Sequence, residues 1–411
     1  MLSSGGRIHN ERLFNPGHAG PAGNRRAETG GRPPQAMLDP AVPSGCKRGM
    51  RGGEIVIAGA GAIGRAVALA LARAGHRVTV IDPSSVNASS VAAGMLAPAF
   101  ESVFDAGAAG GYPLLAGARD LWPALAADIG LPLARDGALA IGSQADAEGW
   151  AAQLAGAGAA TRLLAPGALA VVEAAAPAGA WAAFTPEDWR LAPREALARL
   201  RAAAELHGAR FLSGSVLGFQ HGHVDIVGDE AAGERLPADR LVIATGAGRD
   251  LQGLAPELEV LTPIKGHICR MEGAFVSEPT VRANGVYVCR GDGEAVIGAT
   301  MEVGVASAGV DPDVAVRLLE AAEAALGGGL LAPRALGLGL GAWRAAAGVR
   351  AATPDGLPLV GPSETVDVVL AVGARRNGWL LAPMIAQAVL DAVEGRAPSA
   401  VGATFAPRRL S

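Results

Sequence analysis

The sequence predicts an α/β (α+β) chain in which a Rossmann-like dinucleotide domain is entered three times and a second lobe is built on an antiparallel sheet. Three observations carry this. A short β-branched run, Glu54-Ile55-Val56-Ile57-Ala58, leads into Gly59-Ala60-Gly61-Ala62-Ile63-Gly64. Further apolar runs stand at Leu241-Val242-Ile243-Ala244-Thr245-Gly246 and at Asp367-Val368-Val369-Leu370-Ala371-Val372-Gly373, the latter running into Arg376-Asn377-Gly378. From about residue 259 the pattern turns strand-rich, with polar turns between the strands.

The opening run reads as a buried parallel strand. After it, Gly59 permits a tight turn, Gly61 lets backbone approach a pyrophosphate, and Gly64 allows close helix–strand packing. Ile63, Val67 and Leu71 then fall on one helical face. The N-terminus of that helix offers unpaired N–H groups and a positive dipole end to a diphosphate. A second strand, from Arg77 to Ile81, ends at Asp82, whose carboxylate is placed to accept hydrogen bonds from an adenosine ribose. A nicotinamide enzyme needs one continuous domain for its cofactor, whereas a flavoprotein threads its chain back through the same domain. The three separated segments, with Gly246 closing the second, therefore point to FAD.

Composition excludes several classes. A net charge of −4 and 4% aromatic residues give no basis for nucleic-acid binding. Cys46, Cys269 and Cys289 are widely spaced, so neither a disulfide framework nor a metal site is expected, and a reducing cytoplasm fits. No apolar run approaches the length of a membrane span. Residues 1–53 are rich in Gly, Pro, Asn and Arg without apolar periodicity, and read as a disordered arm or a mis-assigned start, with Met50 as the alternative start.

Small residues fill Ala88-Ser89-Ser90-Val91-Ala92-Ala93-Gly94-Met95-Leu96-Ala97-Pro98, which suits either backbone pressed against a flat ligand or an Ala-rich helix start. Residues 113–185 alternate helical stretches with short strands such as Ala138–Ile141. Pro193 opens a helix carrying Leu197, Leu200 and Ala204, with Gly208 as its stop, and strands follow around Val216 and Val224. Glu259–Ile264, His267–Met271, Gly285–Cys289 and Ala295–Thr300 read as four antiparallel strands. Asp311-Pro312 caps a helix carrying Val316, Leu319 and Ala322, stopped by Gly327–Gly329. The expected division gives residues 54–112, 190–258 and 346–411 to the cofactor domain, and 113–189 and 259–345 to the second lobe.

From Glu54 to about Gly395 the chain resembles FAD-dependent oxidases of the D-amino-acid oxidase family, in particular its glycine-oxidising branch linked to thiamine biosynthesis. The motifs that carry the resemblance are Ser89–Leu96, Val296-Ile297-Gly298-Ala299-Thr300-Met301, Gly348-Val349-Arg350, Pro354-Asp355-Gly356-Leu357-Pro358 and Arg376-Asn377-Gly378-Trp379-Leu380-Leu381-Ala382-Pro383. The resemblance implies a fold of the D-amino-acid oxidase/glutathione-reductase type. It also implies oxidation of glycine, sarcosine or small D-amino acids to the imine, with O2 reduced to H2O2. A hand-off to thiazole synthase and a homo-oligomer are implied as well. Related readings are an amino-acid dehydrogenase passing electrons to a protein or quinone, and a flavin-binding subunit without turnover.

By the same resemblance Arg350 clamps the substrate carboxylate, Arg376 is a second candidate near substrate and flavin, and Tyr287 lines the substrate. A guanidinium suits this role because its paired donors fit a carboxylate in one orientation. Implied FAD contacts are Ala62, Ile63, Asp82, Pro83, Ala88, Ser89, Ala93, Gly94, Met95 and Val216, followed by Ala374, Arg375, Arg376, Asn377, Gly378, Trp379 and Leu380. Two departures stand out. The family's Tyr-x-x-Pro-Arg strand lacks its proline in Tyr287-Val288-Cys289-Arg290, which puts the register of Tyr287 in question. Ala374-Arg375 replaces a histidine or aromatic residue, so an extra arginine is expected beside the flavin. Asp188, Glu173 and His267 each read as a turn, surface or strand-edge residue.

Overall fold

A computed structural model describes residues 52–410, apart from Ser85 and segments 106–110, 174–175, 229–231, 273–277 and 327–342. The chain divides into units Met1–Gly49 and Met50–Ser411, and the fold described is that of the second. The expected amino-terminal arm lies almost wholly outside the described residues, as does the Gly327–Gly329 helix stop.

The three apolar runs lie side by side. A six-stranded sheet runs in the order Leu359–Pro362, Val368–Val372, Arg240–Ile243, Glu54–Ala58, Arg77–Asp82, Arg210–Ser213. Val56 pairs with Leu241 on one side and Thr79 on the other, and all neighbours are parallel except at the Leu359–Pro362 edge. Alternation along the opening strand explains its all-apolar sequence. Ile55 and Ile57 point to one face, packed with the helices Ala62–Arg73, Pro193–Leu206 and Gly378–Val393. Val56 and Ala58 point to the other, against Val216, Val224 and Ile226 of a three-stranded antiparallel sheet. Each fully buried Val or Ile of this kind contributes about 1.5–3 kcal/mol.

A nine-stranded sheet forms the second layer system, with Thr262–Glu272 as its longest strand. Glu259–Ile264 and His267–Met271 were expected as separate strands, but Glu259 and Val260 close a short 3-10 helix, Pro256–Val260, and the rest from Thr262 forms one strand. They merge because Gly266 stays extended, paired with Gly348 of the neighbouring strand Arg344–Ala352. Residues 346–352 therefore pair into this sheet, although the sequence grouped them with the cofactor domain. Conversely, helices Gly111–Arg119 and Trp122–Asp128, expected in the second lobe, bury Leu115 and Trp122 in the same core as Val67 and Ile385. Thr280–Ala283 is a strand the sequence did not announce. In the helix Pro312–Leu326, Asp311 Oδ1 accepts from the N–H groups of Asp313 and Val314, as a cap should. Its buried residues are Ala315, Leu318, Leu319, Ala322 and Ala325, while Val316 is exposed.

Pro383 lies inside the helix Gly378–Val393, where it has no N–H for the carbonyl of Trp379. Trp122 Nε1 donates to that carbonyl at 3.1 Å, so the interruption is satisfied across the helix interface.

Candidate active site

The Gly59–Gly64 turn, the Asp82 end of the second strand and Gly246 converge on a cavity of about 650 Å³. Gly59, Gly61, Ala62, Ile63, Asp82, Pro83, Ala88 and Ser89 line it, joined by Val216, Ala374, Arg375 and Gly378. Gly59 has φ +107, and a Cβ there would lie 2.4 Å from the carbonyl oxygen of Ala244. Only glycine fits that turn. Gly61 gives the helix N-terminus no side-chain cap, and the Ala62 N–H is met by Ser89 Oγ at 3.0 Å. Asp82 Oδ2 accepts from the Ala60 N–H, fixing the carboxylate at the strand end. A glycine-walled cradle with a helix N-terminus and one carboxylate fits the diphosphate and ribose of a dinucleotide.

Gly64 does not line the cavity. A Cβ on it would lie 2.0 Å from the carbonyl oxygen of Gly59, so it sets how closely helix and turn approach. Gly64→Ala must therefore push the helix off the turn. The expected result is loss of most bound FAD at ordinary protein concentration, read as the flavin-to-protein absorbance ratio after gel filtration. Full flavin content would refute this role.

A second cavity, of about 450 Å³, shares Ala88 and Arg350 with the first. Ala93, Gly94 and Met95 line this cavity rather than the nucleotide one, as do Arg376, Asn377 and Trp379. Leu380 faces neither: it is buried in the core and its carbonyl accepts from Trp122 Nε1 at 3.3 Å. The resemblance implies contacts as far as Leu380, but a helix starts at Gly378. Successive side chains then diverge by about 100°, so Trp379 and Leu380 point to different places. Tyr287 is buried on the wall of this cavity despite the missing proline, lying over its cross-strand partner Gly298. Burial pushes its hydroxyl pKa well up, so it stays a neutral donor.

The cavity's arginines differ in how their charge is balanced. Arg376 lies 3.2 Å from Glu101, and Arg282 Nη2 donates to the same carboxylate at 3.0 Å. Arg375 is ion-paired with Asp105, which occupies the extra guanidinium expected beside the flavin. Arg350 instead donates from Nη2 to the carbonyl oxygen of Thr300 at 2.9 Å. Among the described residues no carboxylate lies within ion-pair distance of it. Burial lowers its pKa from the usual range, Tyr287 opposes this, and Arg376 adds to it. A guanidinium nonetheless keeps its charge. The result is a half-buried cation without a carboxylate partner among the described residues, at the junction of the two cavities.

Glu101 and Arg282 escaped the sequence reading. The one available signal was an acid in the apolar run Ala97-Pro98-Ala99-Phe100-Glu101. Asp188 proves to be a cap, its two oxygens accepting from the Ala99 and Phe100 N–H groups, and burial raises its pKa to about 6. His267 is fully buried rather than at a strand edge, with Nε2 accepting from the Asp311 N–H and Nδ1 facing Glu302. Glu173 is buried, not on the surface, at the end of the helix Pro166–Val172. Cys269 and Cys289 are free and buried, with thiol pKa values raised by burial. Among the described residues no cluster of His, Cys, Asp and Glu could hold a metal, and no helix is long and apolar enough to cross a membrane.

Comparison with known proteins adds to this geometry. The family model DAO, FAD dependent oxidoreductase, matches residues 54–392. The glycine oxidase of Geobacillus kaustophilus is 30% identical over 366 residues, which is 83% of this chain and 93% of that protein. Its crystal structure aligns with a TM-score of 0.73 at 26% identity, over 87% of this chain and 98% of the other. The glycine oxidase of Pseudomonas aeruginosa is 33% identical over 190 residues, 44% of this chain, and the match spans 49% of that relative's length. The bifunctional protein ThiO/ThiG of Trichormus variabilis is 33% identical over 226 residues, 52% of this chain and 32% of that protein.

Proposed function

Because the chain belongs to the DAO family of FAD-dependent oxidoreductases, we propose that it oxidises glycine, with sarcosine and small D-amino acids as further substrates. The product is the imine, which hydrolyses to glyoxylate, and O2 is reduced to H2O2. The carrying observation is Arg350, a half-buried guanidinium with a carbonyl on one side and no carboxylate partner among the described residues.

Residues that would hold FAD are Gly59, Gly61, Ala62, Asp82 and Ser89 at the nucleotide end, with Ala374 and Gly378 nearer the second cavity. When bound, FAD supplies the electron acceptor for the amine and returns the electrons to oxygen. The chain supplies orientation. Arg350 pairs two donors with the substrate carboxylate and so fixes which way the α-carbon faces. Tyr287 adds a protonated hydroxyl on the same wall. Ile268, Ala299 and Met95 give the cavity apolar surface that excludes water. His267 and Cys269 are occupied elsewhere, and no nucleophile is required when the cofactor carries the chemistry.

The similarity to a ThiO/ThiG protein supports delivery of the imine to a thiazole synthase. The proposed setting is a homo-oligomer in the cytoplasm. The test is anaerobic mixing of the flavin-loaded protein with glycine, followed by admission of air. Bleaching of the flavin band, reversed by air with peroxide formed, is expected. Bleaching that air reverses only slowly would move the assignment to a dehydrogenase. Absence of bleaching with glycine, sarcosine and a panel of D-amino acids would remove it.

A further inference from the structure

We infer that Gly266 is a positioning residue for the Arg350 clamp, its missing side chain being the space in which the guanidinium lies. This rests on Arg350 binding the substrate carboxylate. The strands Thr262–Glu272 and Arg344–Ala352 run antiparallel, with Ile264 opposite Arg350, Gly266 opposite Gly348 and Ile268 opposite Ala346. Cross-strand partners share a face and alternate residues return to it, so these six occupy one surface with two glycines in the middle row.

Arg350 does not stay above its own partner. It leans one row along the neighbouring strand, where Nη2 reaches the carbonyl oxygen of Thr300. A Cβ added to Gly266 would lie 2.1 Å from Nη2 and 2.9 Å from Cζ of Arg350, and 3.0 Å from the Thr300 oxygen. The backbone does not itself ask for glycine, since Gly266 is absent from the residues with positive φ. A glycine inside a strand weakens it, so the reason for one here is the neighbour it admits. Gly348 beside it has a different neighbour, the Ala88 backbone 3.0 Å from its virtual Cβ. One glycine seats a helix and the other seats the guanidinium.

The two closest atoms belong to the end of a flexible side chain, so Gly266→Ala displaces the clamp and spares the sheet. The test compares flavin-loaded wild type, Gly266→Ala, Arg350→Ala and the double variant, using glycine kinetics and binding of acetate, a carboxylate without an amine. Gly266→Ala should raise KM for glycine and Kd for acetate at least about tenfold, with kcat less affected. In the Arg350→Ala background the same change should do nothing further, because the two act through one contact. Unchanged acetate binding in Gly266→Ala overturns the inference, as does an equal loss in both backgrounds. Should Gly266→Ala fail to hold FAD, Gly266→Ala is placed on Arg350→Lys, which lacks the guanidinium atoms the methyl would meet. Recovery of FAD there supports the inference, and failure overturns it by showing that the sheet itself needs the glycine. Wild type that binds neither glycine nor acetate would instead defeat the carboxylate role of Arg350.

Discussion

Arg350→Ala is expected to lower kcat/KM for glycine by a few hundred-fold or more, the equivalent of about 3–5 kcal/mol for a buried charge left without its partner. The stranded charge would be the substrate's carboxylate. Most of the loss should appear in KM, because a clamp of this kind would hold the substrate equally from binding through reaction. The fold should tolerate the change: Arg350 has a carbonyl contact but no carboxylate of its own to abandon. Arg350→Lys should fall between the two, since a lysine keeps the charge and loses the paired geometry. Steady-state kinetics together with a melting curve decide the matter. Unchanged kcat/KM sinks the assignment, and a collapse in Tm would make Arg350 a structural residue.

Glu101→Ala should behave in the opposite way, damaging the fold first. Its carboxylate is 4% exposed and serves both Arg282, 7% exposed, and Arg376. Removing it leaves two guanidiniums close together with no shared anion. Breaking a buried pair costs about 3–5 kcal/mol. The partly exposed Arg376 recovers some of this through water. Tm should fall by several degrees, and added acetate should restore part of it by taking the vacated place. Glu101→Gln keeps the shape without the charge and should show a smaller drop. A Glu101→Ala protein melting within about one degree of wild type would show that the cluster contributes no net stability.

What could be read in the sequence divides by how local the signal is. The turn at Gly59, Gly61 and Gly64 and the acid at Asp82 are local, because each residue's task is set by the strand and helix it joins. Arg350 and Tyr287 became candidates only through motif resemblance, and both line the second cavity. Their neighbours Glu101, Arg282 and Gly266 carry no motif, and they come together only when separate strands and a short helix converge on one cavity. A period-2 or period-3.6 pattern cannot show such convergence. Leu380 was misplaced for a simpler reason: the helix already starts at Gly378, and its turn carries Leu380 away from the cavity into the core. The merged strand Thr262–Glu272 teaches the same lesson: two expected strands become one through their common pairing with Arg344–Ala352.

The interleaved order of the six-stranded sheet also has a consequence in time. Its central strand, Glu54–Ala58, precedes every strand of the nine-stranded sheet, yet the Val368–Val372 strand two places away follows them all. Part of the nucleotide cavity wall, from Ala371 to Arg375 and Gly378, belongs to that late stretch. A ribosome paused before these residues holds a glycine turn with one side of its cradle still unwritten. Flavin loading is thus tied to synthesis of the stretch from Ala371 to Gly378. A chain truncated before Val368 should leave the ribosome colourless, however intact its opening motif.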